Sequence, residues 1–270
     1  MKRRPEPMPW IHRWRTWVIQ APVMTVITVF CGSLSLLVSL FEREGRMQHR
    51  IARVWARALV GCTGCSLTVR GAENLRKYPV VVFAANHTSY MDTPVIFASL
   101  PCQFRILAKK ELWPIVFIGW YLNRSGQIPI DTRNPRATLS SLGAAVKALR
   151  AGMPLFVFPE GGRTPDGGLQ NFLSGAAYLA IRAQVPLVPI ALSGVYDLLP
   201  MHTNHFYPCE LTLSAGEPIA TTGMSLREVD ELTERVKQMI ASMLEESRGR
   251  VLSAEPVRLE SEPSEQVERT

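Results

Sequence analysis

The sequence predicts an α/β fold: a mixed, largely parallel sheet flanked by helices, preceded by an N-terminal membrane-associated helical segment. Three observations predict it. From residue 66 onward, short β-like runs alternate with helical stretches. Runs such as Val80-Val81-Val82-Phe83-Ala84 are apolar throughout, as strands covered on both faces are. Finally, residues 16–41 carry no charge, about the 25 residues that a bilayer crossing needs.

Taken in order, the N-terminal run is interrupted by Gln20, Pro22 and Gly32, and basic residues flank both of its ends. That pattern predicts a re-entrant or in-plane helical pair in place of a single span. Trp10, Trp14 and Trp17 recur at helical spacing beside Arg13 and Arg15, the signature of an interfacial anchor. The alternatives are a cleaved signal peptide or a buried core helix, but no small-residue cleavage site follows and Phe41-Glu42-Arg43 leads directly into an amphipathic pattern, which favours the anchor. Over 47–59, Ile51, Val54, Trp55, Ala58 and Leu59 repeat at helical spacing with Arg50, Arg53 and Arg57 opposite, so this helix either lies along lipid headgroups or packs on the domain. Strands are predicted at 66–70, 80–84, 104–108, 127–130, 155–158, 187–192 and 211–214. Helices are predicted at 93–100, 112–122, 136–150, 175–184 and 226–246. Residues 247–270 are rich in charge, Ser and Pro and read as a disordered tail.

The chain has 270 residues, 47% of them hydrophobic, enough for the core of one medium domain. Its formal charge of +7 fits an anionic partner, whether nucleic acid, membrane or a phosphate-bearing substrate. The basic residues concentrate beside the apolar run, which favours anionic lipid. Nucleic-acid binding would interleave aromatics with a basic stripe; here the tryptophans border a charge-free run instead. Five cysteines at irregular spacing make no disulfide framework. Cys62 and Cys65 form a CxxC, and His202 and His205 an HxxH. Neither has the companions a tetrahedral site requires, so no metal is expected.

In such sheets, active sites gather in loops over the carboxyl edge. After the run ending at Ala84 come Asn86-His87-Thr88-Ser89-Tyr90-Met91-Asp92. An alcohol is too weak an acid to ionise near neutrality, so its attack on an acyl carbon needs a base, and histidine is tuned for that role. Asp92 is placed to orient His87 and to steady its protonated ring. No GxSxG elbow is present, and Thr88 and Ser89 read as loop-stabilising hydroxyls, so the nucleophile must come with the substrate. A second loop, Pro159-Glu160-Gly161-Gly162-Arg163-Thr164, combines an acid, a glycine turn that lets a ligand approach the backbone, and a guanidinium fork for phosphate.

Together with Ala108-Lys109-Lys110-Glu111-Leu112, Ile128-Pro129-Ile130-Asp131 and Val185-Pro186-Leu187-Val188-Pro189-Ile190, these loops resemble the ordered blocks of the glycerolipid acyltransferase family, over roughly residues 80–192. The resemblance implies transfer of a fatty acyl group from acyl-CoA or acyl carrier protein to a lysophospholipid hydroxyl, without an acyl-enzyme and without a cofactor. It implies His87 as general base, Asp92 as its partner, and Lys109 and Arg163, with Arg133 a further candidate, as phosphate ligands. Glu160, Gly161 and Gly162 would shape the acceptor pocket, a glycine-turn N–H would hold the oxyanion, and 185–190 would line an acyl channel. Two departures stand out: Thr132 intervenes before Arg133, and Leu173 occupies a position where many phosphatidic-acid-forming members carry lysine. A lipid thioesterase or esterase would use the same His-Asp pair with water. The chain thus divides into anchoring helices (1–60), a catalytic domain (61–246) and the tail (247–270), with a monotopic or peripheral location on the cytoplasmic face of the inner or plasma membrane.

Overall fold

Seven strands join in one sheet: β1 (Ser66–Arg70), β2 (Val82–Ala85), β3 (Arg105–Lys109), β4 (Ile128–Ile130), β5 (Leu155–Val157), β6 (Leu187–Ser193) and β7 (Glu210–Ala215). Their spatial order is β1-β7-β6-β2-β5-β3-β4. The computed structural model describes residues 13–254 except Arg43 and Thr132. The predicted Trp10 and the basic residues at 2–4 therefore lie outside the described residues. Every neighbouring pair is parallel except β6 with β7, so β1 and β7 run opposite to the other five. This is the mixed, largely parallel sheet that the alternating pattern predicts.

Helices cover both faces, which explains the lack of polar alternation in the central strands. Phe83, Val188, Ile190 and Leu192 point into one core layer with residues of α2 (Arg46–Thr63) and α3 (Asp92–Ser99). Val82, Ala84, Leu187 and Ala191 point into the other, beneath α5 (Pro135–Arg150), α6 (Gly175–Ala183) and α8 (Val229–Ala254). Two shorter helices are α4 (Val116–Arg124) between β3 and β4, and α7 (Val195–Leu198) after β6. β6 is a central strand buried along nearly its whole length; a void of about 10 Å³ lies beside it, lined by residues such as Leu173 and Leu187.

Three expectations are corrected. Residues 16–41 do not form a helical pair: α1 (Ala21–Val38) continues a π-helical turn (Arg15–Gln20) as one helix. The N–H of Ala21 reaches Thr16 O, five residues back, and this widened turn leads into Pro22, so the proline is absorbed without a break. By length and composition this helix is apolar enough to cross a membrane. The amphipathic helix α2 is rotated relative to the predicted face. Ala52, Ala56, Leu59 and Val60 are buried while Val54 is exposed, because small alanines let α3 approach closely. Trp55 turns instead toward α1, where its indole N–H donates to Thr28 Oγ1 at 3.0 Å. Lastly, α8 runs to Ala254, so the predicted tail begins inside a helix, where an i,i+4 pair of Glu246 and Arg250 sits on its exposed side; residues 255–270 lie outside the described residues.

Candidate active site

The parallel neighbours β2 and β5 release their chains at the same sheet edge, so Asn86-His87 and Phe158-Pro159-Glu160 leave side by side. β3, on the far side of β5, ends there with Lys109. The side chain of Asn86 fixes the first loop to β6: its Nδ2 donates to Leu192 O at 3.0 Å, and its Oδ1 accepts from Leu192 N–H at 2.8 Å.

His87 Nδ1 lies 2.7 Å from Asp92 Oδ2. The same carboxylate oxygen accepts from the backbone N–H groups of Thr88 (2.7 Å) and Ser89 (2.9 Å), so it serves as an acceptor and Nδ1 as the donor. That leaves Nε2 with the lone pair, the atom a base would use. Asp92 is fully buried at the start of α3, where the helix N-terminus favours negative charge, while the His87 side chain is 21% exposed. The far face of the ring stacks on Phe158, with centroids 4.1 Å apart and planes 19° from parallel. Both nearby hydroxyls are occupied: Ser89 Oγ donates to Leu199 O at 2.9 Å, and Thr88 Oγ1 to Asp92 Oδ1 at 3.4 Å.

Glu160 holds the two loops together. Its Oε1 accepts from the His87 backbone N–H at 2.7 Å and its Oε2 from Gln170 N–H at 3.2 Å. Burial raises its pKa against the opposing pull of these two hydrogen bonds. The carboxylate thus positions the histidine's backbone. The return contact runs from Thr164 N–H to His87 O at 3.0 Å, which brings the adjacent Arg163 alongside the dyad.

Gly161 takes φ +69°, a left-handed conformation that a side chain would strain, and a Cβ there would come within 3.0 Å of Leu173 Cδ1. Its N–H donates to Phe158 O at 3.1 Å, so it is not the donor for an oxyanion. A Cβ on Gly162 would lie 3.7 Å from Lys109 Nζ, which places that ammonium over the turn. The Arg163 guanidinium carbon sits 3.5 Å above the Tyr90 ring. His87, Asp92, Lys109, Glu160, Gly161, Gly162 and Arg163 are therefore one cluster. Arg133 follows the edge strand β4, and its Nε lies 4.0 Å from Glu111 Oε1.

Residues 66–193 match the family model described as Acyltransferase. Those residues belong to the acyltransferase family. It is 30% identical over 183 residues to a chloroplastic 1-acyl-sn-glycerol-3-phosphate acyltransferase of Arabidopsis thaliana, covering 67% of this chain and 50% of that one. A 1-acyl-sn-glycerol-3-phosphate acyltransferase of Saccharomyces cerevisiae is 27% identical over 215 residues, 78% of this chain and 71% of the relative. The chain spans about half the length of the two chloroplastic relatives it matches. Among solved structures, the 1-acyl-sn-glycerophosphate (LPA) acyltransferase of Thermotoga maritima superposes with a TM-score of 0.75 at 26% identity, covering 88% of this chain and 97% of that one.

Within this acyltransferase-family site, sequence reasoning missed Phe158 as the histidine's stacking partner and Tyr90 as the arginine's. Each was visible only as a strand end or a loop aromatic, and nothing in the spacing of one loop reveals which ring the other will meet. Of the cysteines, Cys65 adjoins Cys209, whose N–H points to Cys65 Sγ at 3.2 Å. Among the described residues, no three His, Cys, Asp or Glu side chains converge as metal ligands.

Proposed function

We propose that this chain transfers a fatty acyl group from a thioester, acyl-CoA or acyl carrier protein, to the free hydroxyl of lysophosphatidic acid, yielding phosphatidic acid for phospholipid synthesis. The observation that carries the proposal is the 2.7 Å contact between His87 Nδ1 and Asp92 Oδ2, at a loop edge where Lys109 and Arg163 bring positive charge. His87 Nε2 takes the hydroxyl proton as the lipid oxygen attacks the thioester carbonyl carbon. The tetrahedral intermediate then collapses, the carbon–sulfur bond breaks, and the imidazolium returns its proton to the departing thiolate. No acyl-enzyme is needed, in keeping with the commitment of the Ser89 and Thr88 hydroxyls to the loop. Lys109 and Arg163 hold the acceptor phosphate as charge-assisted donors, with Arg133 reaching it only from the sheet edge. The apolar helix α1 and residues 1–60 seat the protein on the membrane as a monotopic protein, with the site on the cytoplasmic face.

The test is thiol release from acyl-CoA, with and without a panel of lysophospholipids that differ in headgroup. Lysophosphatidic acid should stimulate release most, and His87→Ala should reduce turnover by about 10²–10⁴-fold while the protein stays with the membrane fraction. Release that needs no acceptor would point to a thioesterase, and a variant that keeps most of its turnover would remove the mechanism. Substituting acyl carrier protein for acyl-CoA identifies the donor.

A further inference from the structure

Between β3 and β4, residues 112–123 (LWPIVFIGWYLN) carry no charge. An apolar run of about 10–14 residues is ordinarily the core of a buried helix or an interfacial segment. Burial decides between these, and one side of this segment is not buried. Leu112, Ile115, Phe117, Ile118 and Trp120 are all exposed, at 47% for Ile115, 43% for Ile118 and 59% for Trp120. Scattered single apolar residues on a surface need no explanation, whereas five within nine positions form a patch.

Two features identify what covers it. The patch continues the exposed apolar surface of α1: a Cβ on Gly32 would meet the Phe117 ring at 2.5 Å, so the glycine is where α4 seats against α1, whose own Val26, Val29, Phe30 and Leu37 face outward. Charge is arranged around the patch as well. Lys109, Lys110 and Glu111 precede it and Arg124 ends α4, so the apolar segment lies between ends of net positive charge, as suits insertion below anionic headgroups.

From these we infer that α4 is a second membrane-inserting element, borne by the catalytic domain, which enters the same leaflet as α1 and is occupied by phospholipid acyl chains. One helix alone leaves the domain free to tilt about it; two contacts orient the sheet edge that carries His87. Because α4 follows Lys109, whose ammonium overhangs the Gly162 turn, the inserted segment brings the lipid surface to the rim of the site. The inference deepens the lipid acyltransferase reading and rests on it for its purpose.

Its test needs no turnover, so it can fail independently of that reading. A benzophenone-bearing amino acid is placed at position 118 or 120 of the full chain, in vesicles of phosphatidylcholine and phosphatidylglycerol, with position 226, equally apolar and exposed but on the 3₁₀ turn before α8, as control. On irradiation, positions 118 and 120 should gain adducts of phospholipid mass and position 226 should not. Adducts joining two copies of the chain, or equal labelling at all three positions, overturn the inference. If the labelled chains do not fold, Trp120→Phe provides the same decision. Tryptophan emission of the unaltered protein should be quenched more than that of the variant by lipids brominated along the acyl chain; equal quenching overturns it.

Discussion

Replacing Glu160 by glutamine separates two roles: shaping the acceptor pocket, as the family resemblance implies, or holding the histidine, as the hydrogen bond to the His87 N–H suggests. The carboxylate accepts one backbone N–H on each oxygen, from His87 and from Gln170. An amide keeps one acceptor and turns an NH2 toward the other N–H, so one charge-assisted hydrogen bond is lost, worth about 1.5–3 kcal/mol. If that loss falls on the placement of His87 in the transition state, kcat drops about 10- to 10²-fold, at roughly 1.4 kcal/mol per factor of ten. Overall stability should fall by less, because burial raises the Glu160 pKa and removing the charge returns that desolvation cost. The sign with pH follows: ionising this carboxyl costs the folded state, so its contribution to stability is best at low pH and declines as pH rises through the raised pKa. Protonation below that pKa weakens the clamp and should cut activity on the acid side. The assay is steady-state kinetics with lysophosphatidic acid varied at saturating acyl donor. A lower kcat with little change in KM is expected, and a raised KM with kcat intact would refute the positioning role and return Glu160 to the acceptor pocket.

Asp92→Asn should present its NH2 to either the loop N–H groups or His87 Nδ1, disturbing the tautomer, and lower kcat by about 10³–10⁴-fold, as read by single-turnover rates. Gly161→Ala must hold a left-handed φ against Leu173 and should cost about 1–2 kcal/mol by denaturant unfolding; an unchanged midpoint would mean the turn relaxes freely. His49, buried edge-on to Phe104 with Nε2 donating to Cys102 O at 3.0 Å, has its pKa pushed down to about 4 by burial. Its stabilisation is therefore complete above about pH 6.5 and is lost as pH falls toward 4, by at most about 3 kcal/mol. His49→Gln should flatten that acid slope in melting experiments, and an identical slope in both proteins would locate the acid sensitivity elsewhere.

Much of this protein was legible in its residues because local physics decides it. The seven strands and the helices between them follow from runs of apolar residues and turn chemistry, and their alternation demands a sheet covered on both faces. His87 and Asp92 are five positions apart on one strand-to-helix turn, so their meeting needs no long-range contact. Other features depend on partners distant in sequence. Glu160 becomes a clamp because β5 lies beside β2, which sets its carboxylate against a backbone N–H 73 residues away. Arg163 meets Tyr90, and Phe158 meets His87, through the same adjacency. Pro22 reads as a break until the π-helical turn absorbs it, and α2 turns its alanines, not Val54, into the core it shares with α3. An apolar run states only that a segment avoids water. Whether it does so inside the core, like β6, or on the surface, like α4, is set by the space the other elements leave, and the tertiary structure alone decides that.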